Sequence, residues 1–312
     1  VATFDYDTGR FTETVTLNIG KDNHARPNLL LDHDGYLHAI ISGHNSPVTH
    51  RRSTKPNDAS EWTEAVEIDR GTYPVPALGP DGTLYVLMRS ANRWNGADLY
   101  IKPKDGEWRK QCKLVHRDPD MPGYAAFHGG AVVAPDGTLH VVINMYEGKG
   151  IYDRRGLHQA ICYMKSTDRG KTWTKADGTP VKLLARPEGM DAIARDRAAE
   201  RHEKMPPPLV NAGANLALDA QGRPHILYHD HRIAPGQVMH ATTNADGEWR
   251  RDKVHALTDA FPGFRTTDIR NICMLPGTDR IIALAELQPF DEMWQNGMPM
   301  RKMNMDPKRE KR

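Results

Sequence analysis

The stretch Ala131-Val132-Val133-Ala134-Pro135-Asp136-Gly137-Thr138-Leu139-His140-Val141 reads as two apolar runs joined by an Asp-Gly turn. This is a strong hairpin signal, because glycine accepts the positive φ that a tight turn demands. The same unit recurs as Leu29-Leu30-Leu31-Asp32-His33-Asp34-Gly35-Tyr36-Leu37-His38-Ala39-Ile40 and as Ala77-Leu78-Gly79-Pro80-Asp81-Gly82-Thr83-Leu84-Tyr85-Val86. A weaker copy surrounds Gly222, from Leu216 to Ile226, and a fifth runs from Leu275 to Ile282. A single copy would say little, but five in series predict a repeat protein.

Each unit is followed by a turn that ends in tryptophan: Trp62, Trp108, Trp173 and Trp249. The fullest version, Ser166-Thr167-Asp168-Arg169-Gly170-Lys171-Thr172-Trp173, resembles the Asp box of sialidase-type propellers, in which Asp and Ser close a turn between outer strands. Turn glycine and tryptophan lie 27 residues apart in the first copy (Gly35 to Trp62), 26 in the second, 36 in the third and 27 in the fourth. Successive hairpin glycines are 47, 55, 85 and 55 residues apart, which matches the length of a four-stranded propeller blade except for one long interval.

The expected fold is therefore all-β: a β-propeller of four-stranded blades, about five of them visible, forming one domain over residues 1–297. The Pro- and charge-rich stretch 185–208 reads as a surface insertion, with a short helix over Ala192–Glu203. Residues 1–20 read as outer strands of a blade begun upstream, and residues 298–312 as a disordered tail.

Composition narrows the partners. The 312 residues are 38% hydrophobic and 26% charged, and 42 Lys+Arg stand against 40 Asp+Glu. A net charge of +2 gives no basic domain of the kind nucleic acid attracts. No apolar run approaches the roughly 18 residues of a membrane span, and the chain opens at Val1 without a charged-then-apolar leader, so a signal peptide is expected to be absent or already removed. Cys112, Cys162 and Cys273 are too widely spaced for a C-x-x-C pair and allow at most one disulfide.

In a propeller the ends of each inner hairpin opposite its turn gather on one face. Those places hold His24 and His44 around Gly35, Tyr73 and Arg89 around Gly82, His128 and Tyr146 around Gly137, and His229 with His231 after Gly222. A lone strand histidine is usually a satisfied structural residue, but several in equivalent places point to a site. His38, His140 and His225 lie at the turn end and read as structural. His229 and His231 lack a third ligand, so a structural divalent metal has no support, and no cofactor is expected.

Imidazole, phenol and guanidinium without an evident carboxylate pair suit proton abstraction next to a uronate carboxylate. Arg clamps the carboxylate in a bidentate fork, while a neutral His or a Tyr takes or gives the proton. A glycosidase would need two facing acids. The segments Asp22-Asn23-His24, Ser42-Gly43-His44-Asn45, Arg51-Arg52-Ser53, Pro56–Trp62, Thr72-Tyr73-Pro74, Arg89 and 166–173 together resemble the BNR-repeat propellers that include the ulvan lyases and other rhamnose–glucuronate lyases.

That resemblance implies a seven-bladed propeller and a polysaccharide lyase working by β-elimination on an ulvan-like glycan. By the resemblance, His24 and Tyr73 supply base and acid, in either order, and His44 and Arg89 neutralise the carboxylate. His128, Tyr146, His229 and Arg26 are expected substrate contacts. The expected partner is an anionic polysaccharide or oligosaccharide, met outside the cell or in the periplasm by a monomer. Three other readings remain: a rhamnosidase using His24, a sialidase-type hydrolase built on Arg26, Arg89 and Arg265, or a non-catalytic carbohydrate-binding propeller.

Overall fold

The computed structural model describes residues 1–19, 27–91, 96–118, 124–148, 158–196, 209–210, 215–230, 237–254, 264–275 and 278–289. The described residues form strands, turns and irregular chain, and no helix among them is long and apolar enough to cross a membrane. Two compact units emerge. The first comprises residues 1–117, 126–143 and 163–191, the second residues 118–125, 144–162 and 192–312.

Strands β1 (Phe4–Asp5) and β2 (Arg10–Phe11) pair with one another as an antiparallel hairpin. Next comes a seven-stranded antiparallel sheet in chain order: β3 (Asn28–Leu31), β4 (Leu37–Ile41), β5 (Ser46–Arg52), β6 (Val66–Leu78), β7 (Leu84–Ser90), β8 (Gly96–Lys102) and β9 (Arg109–His116). A third sheet follows β10 (Tyr124–Val133), β11 (Leu139–Gly148), β12 (His158–Ser166), β13 (Trp173–Thr174) and β14 (Pro180–Val181), with β15 (Asp191–Asp196) on β12. A fourth holds β16 (Leu209–Val210), β17 (Leu216–Leu218), β18 (Pro224–Asp230), β19 (Gln237–Thr243) and β20 (Trp249–Lys253). Last, β21 (Phe264–Met274) pairs with β22 (Ile281–Pro289).

The predicted hairpins are present. Gly35, Gly82, Gly137 and Gly222 have φ of 86°, 77°, 86° and 74°. Each glycine amide donates to the carbonyl three residues earlier, as Gly137 does to Ala134, the geometry of a type I turn closed by a left-handed residue. The fifth turn is wider, closing from the Leu275 amide to the Arg280 carbonyl.

The length of β6 explains the seven strands. Its first half, Val66–Gly71, pairs with β5, and Gly71–Leu78 pairs with β7. One strand thus closes the meander β3–β4–β5–β6 and opens the meander β6–β7–β8–β9. Ile40, Val48, Val86, Met88 and Tyr100, contributed by both meanders, form a buried cluster with Ile68 and Trp108 against it. In the second unit Ala217, Leu227, Val238, Ile269 and Ile272 do the same.

The segment Ser166–Trp173 closes on itself. Asp168 accepts hydrogen bonds from the amides of Lys171 and Thr172 and from the Thr172 hydroxyl, while Ser166 Oγ accepts from the Gly170 amide. Trp173 is buried, its indole nitrogen donating to the Gly170 carbonyl.

The stretch 185–208 departs from expectation where it is described. Residues 191–196 are strand β15 instead of helix, with Ala185, Met190 and Ile193 buried and the Asp191 carboxylate accepting from the Ala176 amide. The Ala185 amide also donates to the Leu114 carbonyl. Their burial and the pairing of β15 with β12 account for strand in place of a surface helix. Residues 197–208 and the tail 298–312 lie outside the described residues.

Candidate functional site

The crossover in β6 builds the site. Thr72 pairs with Arg89 and Val75 with Leu87, so Tyr73 and Pro74 together oppose Met88 in a β-bulge. Pro74 suits a place where no amide is needed for the ladder. Its carbonyl accepts a hydrogen bond from Asn28 Nδ2 at 2.9 Å. Tyr73 takes φ of 56°, rare for an aromatic residue, so bulge and backbone angle together re-aim its ring.

Two glycines let neighbouring strands approach closely here. A Cβ on Gly71 would meet Met88 Sδ at 2.6 Å and the Arg89 carbonyl oxygen at 3.0 Å. On Gly129 in β10 it would meet Leu87 Cδ2 at 2.3 Å. The second approach stacks His128 on Tyr73, with ring centroids 4.4 Å apart and planes 30° from parallel.

Arg89, at the end of β7, lies with its guanidinium carbon 5.1 Å from the centre of the Tyr73 ring. It is 5% exposed, yet among the described residues no carboxylate pairs with it. Its Nη2 meets only neutral oxygens, Thr72 Oγ1 at 3.4 Å and Asn45 Oδ1 at 3.5 Å, and its Nε is buried without a hydrogen-bond partner. Asn45 is exposed and Tyr73 half-buried, so the cation sits one layer beneath the surface.

The loop Ser42–Asn45 between β4 and β5 completes the cluster. The Gly43 amide donates to Ser46 Oγ, and Asn45, at φ 49°, anchors its own amide on Thr72 Oγ1 at 2.8 Å. Asn45 Nδ2 lies 3.4 Å from Nε2 of exposed His44. A chain of contacts thus runs from His44 through Asn45 and Arg89 to Tyr73 and His128, all within the first unit.

Of the other expected site residues, His24, Arg26 and His231 lie outside the described residues. Tyr146, half-buried in β11, and His229, fully buried in β18 opposite Val210 and Val238, belong to the second unit. Asn45 and Thr72 carry no sequence signal of their own beyond their places beside His44 and Tyr73. No group of three or more His, Cys, Asp or Glu converges as metal ligands among the described residues. The cysteines form no disulfide, and burial lifts the Cys112 thiol to about 11.

The turn-end histidines are structural, as their positions predict. His38 Nδ1 meets His50 Nε2 at 2.8 Å and its Nε2 meets Asp32 at 3.1 Å; His225, His240 and Asp219 repeat the arrangement at 2.9 and 3.3 Å. His140 instead meets the Tyr163 hydroxyl at 2.7 Å.

Fold and site together define an all-β protein of serial hairpins, with aromatic rings and an uncompensated guanidinium gathered at the strand ends opposite the turns. The model of the BNR repeat-containing family matches residues 1–257, and the chain belongs to that family. It is similar to an ulvan lyase-PL25 of Pseudoalteromonas sp. (strain PLSV), 24% identical over 319 aligned positions that cover 87% of this chain and 63% of the relative. The chain thus spans less than two thirds of that relative's length.

A solved PL25 ulvan lyase, also determined bound to -[GlcA(1-4)Rha3S]-, gives a TM-score of 0.64 at 20% identity over 82% of this chain and 66% of that one. The GH93 α-L-arabinofuranosidase of Fusarium graminearum, complexed with arabinobiose, gives 0.51 at 12% identity over 84% and 74%. These likenesses concern the fold.

Proposed function

We propose that this protein is a polysaccharide lyase that cleaves a uronic-acid glycan of the rhamnose–glucuronate or rhamnose–iduronate type by β-elimination, on a β-propeller of four-stranded blades. The observation that carries the reading is the buried Arg89 guanidinium, held by neutral oxygens beside the Tyr73 ring. Burying a cation without a counter-charge costs free energy, and an arriving carboxylate recovers it. The relative bound to a glucuronate–rhamnose 3-sulfate repeat supports the choice of substrate.

In this reading Arg89 and His44 bind the uronate carboxylate and stabilise the charge that develops on it once the neighbouring C–H proton leaves. Tyr73 and His24 exchange protons with the substrate, one taking the C5 proton and the other protonating the departing O4 oxygen, as the C4–O4 bond breaks and a C4–C5 double bond forms. The stack on His128 holds the phenol in place. Arg26 and Tyr146 remain proposed glycan contacts, whereas His229, fully buried between two strands, is not one, and the chemistry needs no cofactor. A monomer acting outside the cell or in the periplasm fits a polymeric substrate.

Digestion of a rhamnose–uronate polysaccharide tests the proposal. The expected product is a 4,5-unsaturated uronate absorbing in the near ultraviolet, and Tyr73→Phe, Arg89→Ala and His24→Ala each abolish it. Reducing ends released without that absorbance would mean a hydrolase, and retention of the glycan without turnover a binding protein.

A further inference from the structure

We propose that Asn45 is a positioning residue that sets, through one amide, both groups assigned to the substrate carboxylate; the inference rests on the uronate reading above. Its hydrogen bonds fix which way the amide points. Asn45 Oδ1 accepts from the Thr72 hydroxyl at 3.2 Å and faces Arg89 Nη2 at 3.5 Å, while Nδ2 faces His44 Nε2 at 3.4 Å. An amide Nδ2 only donates, so His44 Nε2 accepts and its ring proton resides on Nδ1. The same side chain therefore orients the guanidinium and selects the tautomer of the imidazole.

The choice of Asn over Asp has a physical reason. Both residues adopt the left-handed backbone found here, at φ 49°, and both offer an oxygen to Thr72 and Arg89. A carboxylate, however, would pair with the buried guanidinium and cancel the charge that the substrate must meet. The amide holds Arg89 while leaving its charge uncompensated. The backbone is pinned independently: the Asn45 amide donates to Thr72 Oγ1 at 2.8 Å, and its carbonyl accepts from Arg70 Nη2 at 3.0 Å. Removing the side chain therefore spares the loop, and glycine tolerates the angle without strain.

Two substitutions separate the two duties. Asn45→Asp supplies a competing carboxylate, so KM, and the Kd of a glucuronate–rhamnose 3-sulfate oligosaccharide measured by calorimetry, rise about tenfold or more. Asn45→Gly leaves the cation charged but unguided, so affinity stays within about threefold while kcat falls on the order of tenfold. Equal losses in both variants with the same split between KM and kcat, or unchanged kinetics in both, overturn the role of Asn45. A wild-type protein that binds this oligosaccharide but yields no unsaturated product removes the lyase reading, and the Asn45→Asp affinity then still decides whether Asn45 preserves the charge. A wild-type protein that does not bind the oligosaccharide overturns both.

Discussion

Tyr73 and Arg89 stand sixteen positions apart in the chain, and each lies at the open end of the same hairpin, which is enough to make them candidates. What brings them together is a bulge at Tyr73 and Pro74 and the close approach of strands at Gly71 and Gly129, neither of which has a periodic signature. Asn45 enters the sequence reading only as the residue beside His44, because its importance arises from a backbone angle and from partners 27 and 44 residues away. Gly129 offers a test at this scale. In Gly129→Ala the new methyl meets the end of the fully buried Leu87 side chain, so Leu87 must repack or β10 must shift, and a shift of β10 would carry His128 off Tyr73. Overpacking of this kind costs about 1–3 kcal/mol, measurable by denaturant unfolding. Turnover should fall as well at temperatures where the variant remains folded. Full activity in a folded, destabilised variant would show that Leu87 repacks beneath an intact stack or that the ring stack is dispensable.

The hairpins are legible because their turn chemistry is local; the interactions between strands are not. Trp108 Nε1 donates to His50 Nδ1 at 3.1 Å, and since indole only donates, His50 must pass its Nε2 proton toward His38 Nδ1, whose own Nε2 proton points to Asp32. Both rings are thereby fixed as neutral donor–acceptors. Burial first, and then repulsion from His38, Lys102 and Arg52, pushes the His50 pKa down to about 3. Burial likewise lowers His38 and His240, and takes His140 down to about 4.

The sign follows from linkage. Below an ordinary histidine pKa of about 6.5 the unfolded chain takes up protons that these folded rings refuse. Stability is therefore unaffected by them above about pH 6.5 and is lost as pH falls from there toward 4 and 3. Each such histidine contributes at most about 1.4 kcal/mol per pH unit. Urea unfolding between neutral and acid pH should show this slope, and His50→Phe should flatten it. An unchanged slope in that variant would mean that His50 is protonated in the folded chain.

At the scale of the chain, antiparallel hairpins follow one another in series, and in the first unit β6 joins two meanders: it is the last strand of one and the first strand of the next, with Gly71–Tyr73 at the crossing. The site is thus a property of the junction, which explains why residues from β4–β5, β6 and β7 reach it although they share no local pattern. The charge balance of the chain limits how an anionic glycan is recognised. With 42 basic and 40 acidic residues there is little net field to draw a polyanion in from a distance, so the proposed affinity must come from local groups such as Arg89. Exposed charges are screened when the Debye length falls from about 30 Å at 0.01 M salt to about 3 Å at 1 M, whereas a buried cation is screened far less. The KM for a uronate polysaccharide should therefore rise only about threefold over that range, and Arg89→Lys, which keeps the charge but loses the planar fork, should not restore the wild-type value. A steep, many-fold loss of affinity with salt would instead place the recognition on surface lysines and arginines and leave the buried guanidinium a structural residue.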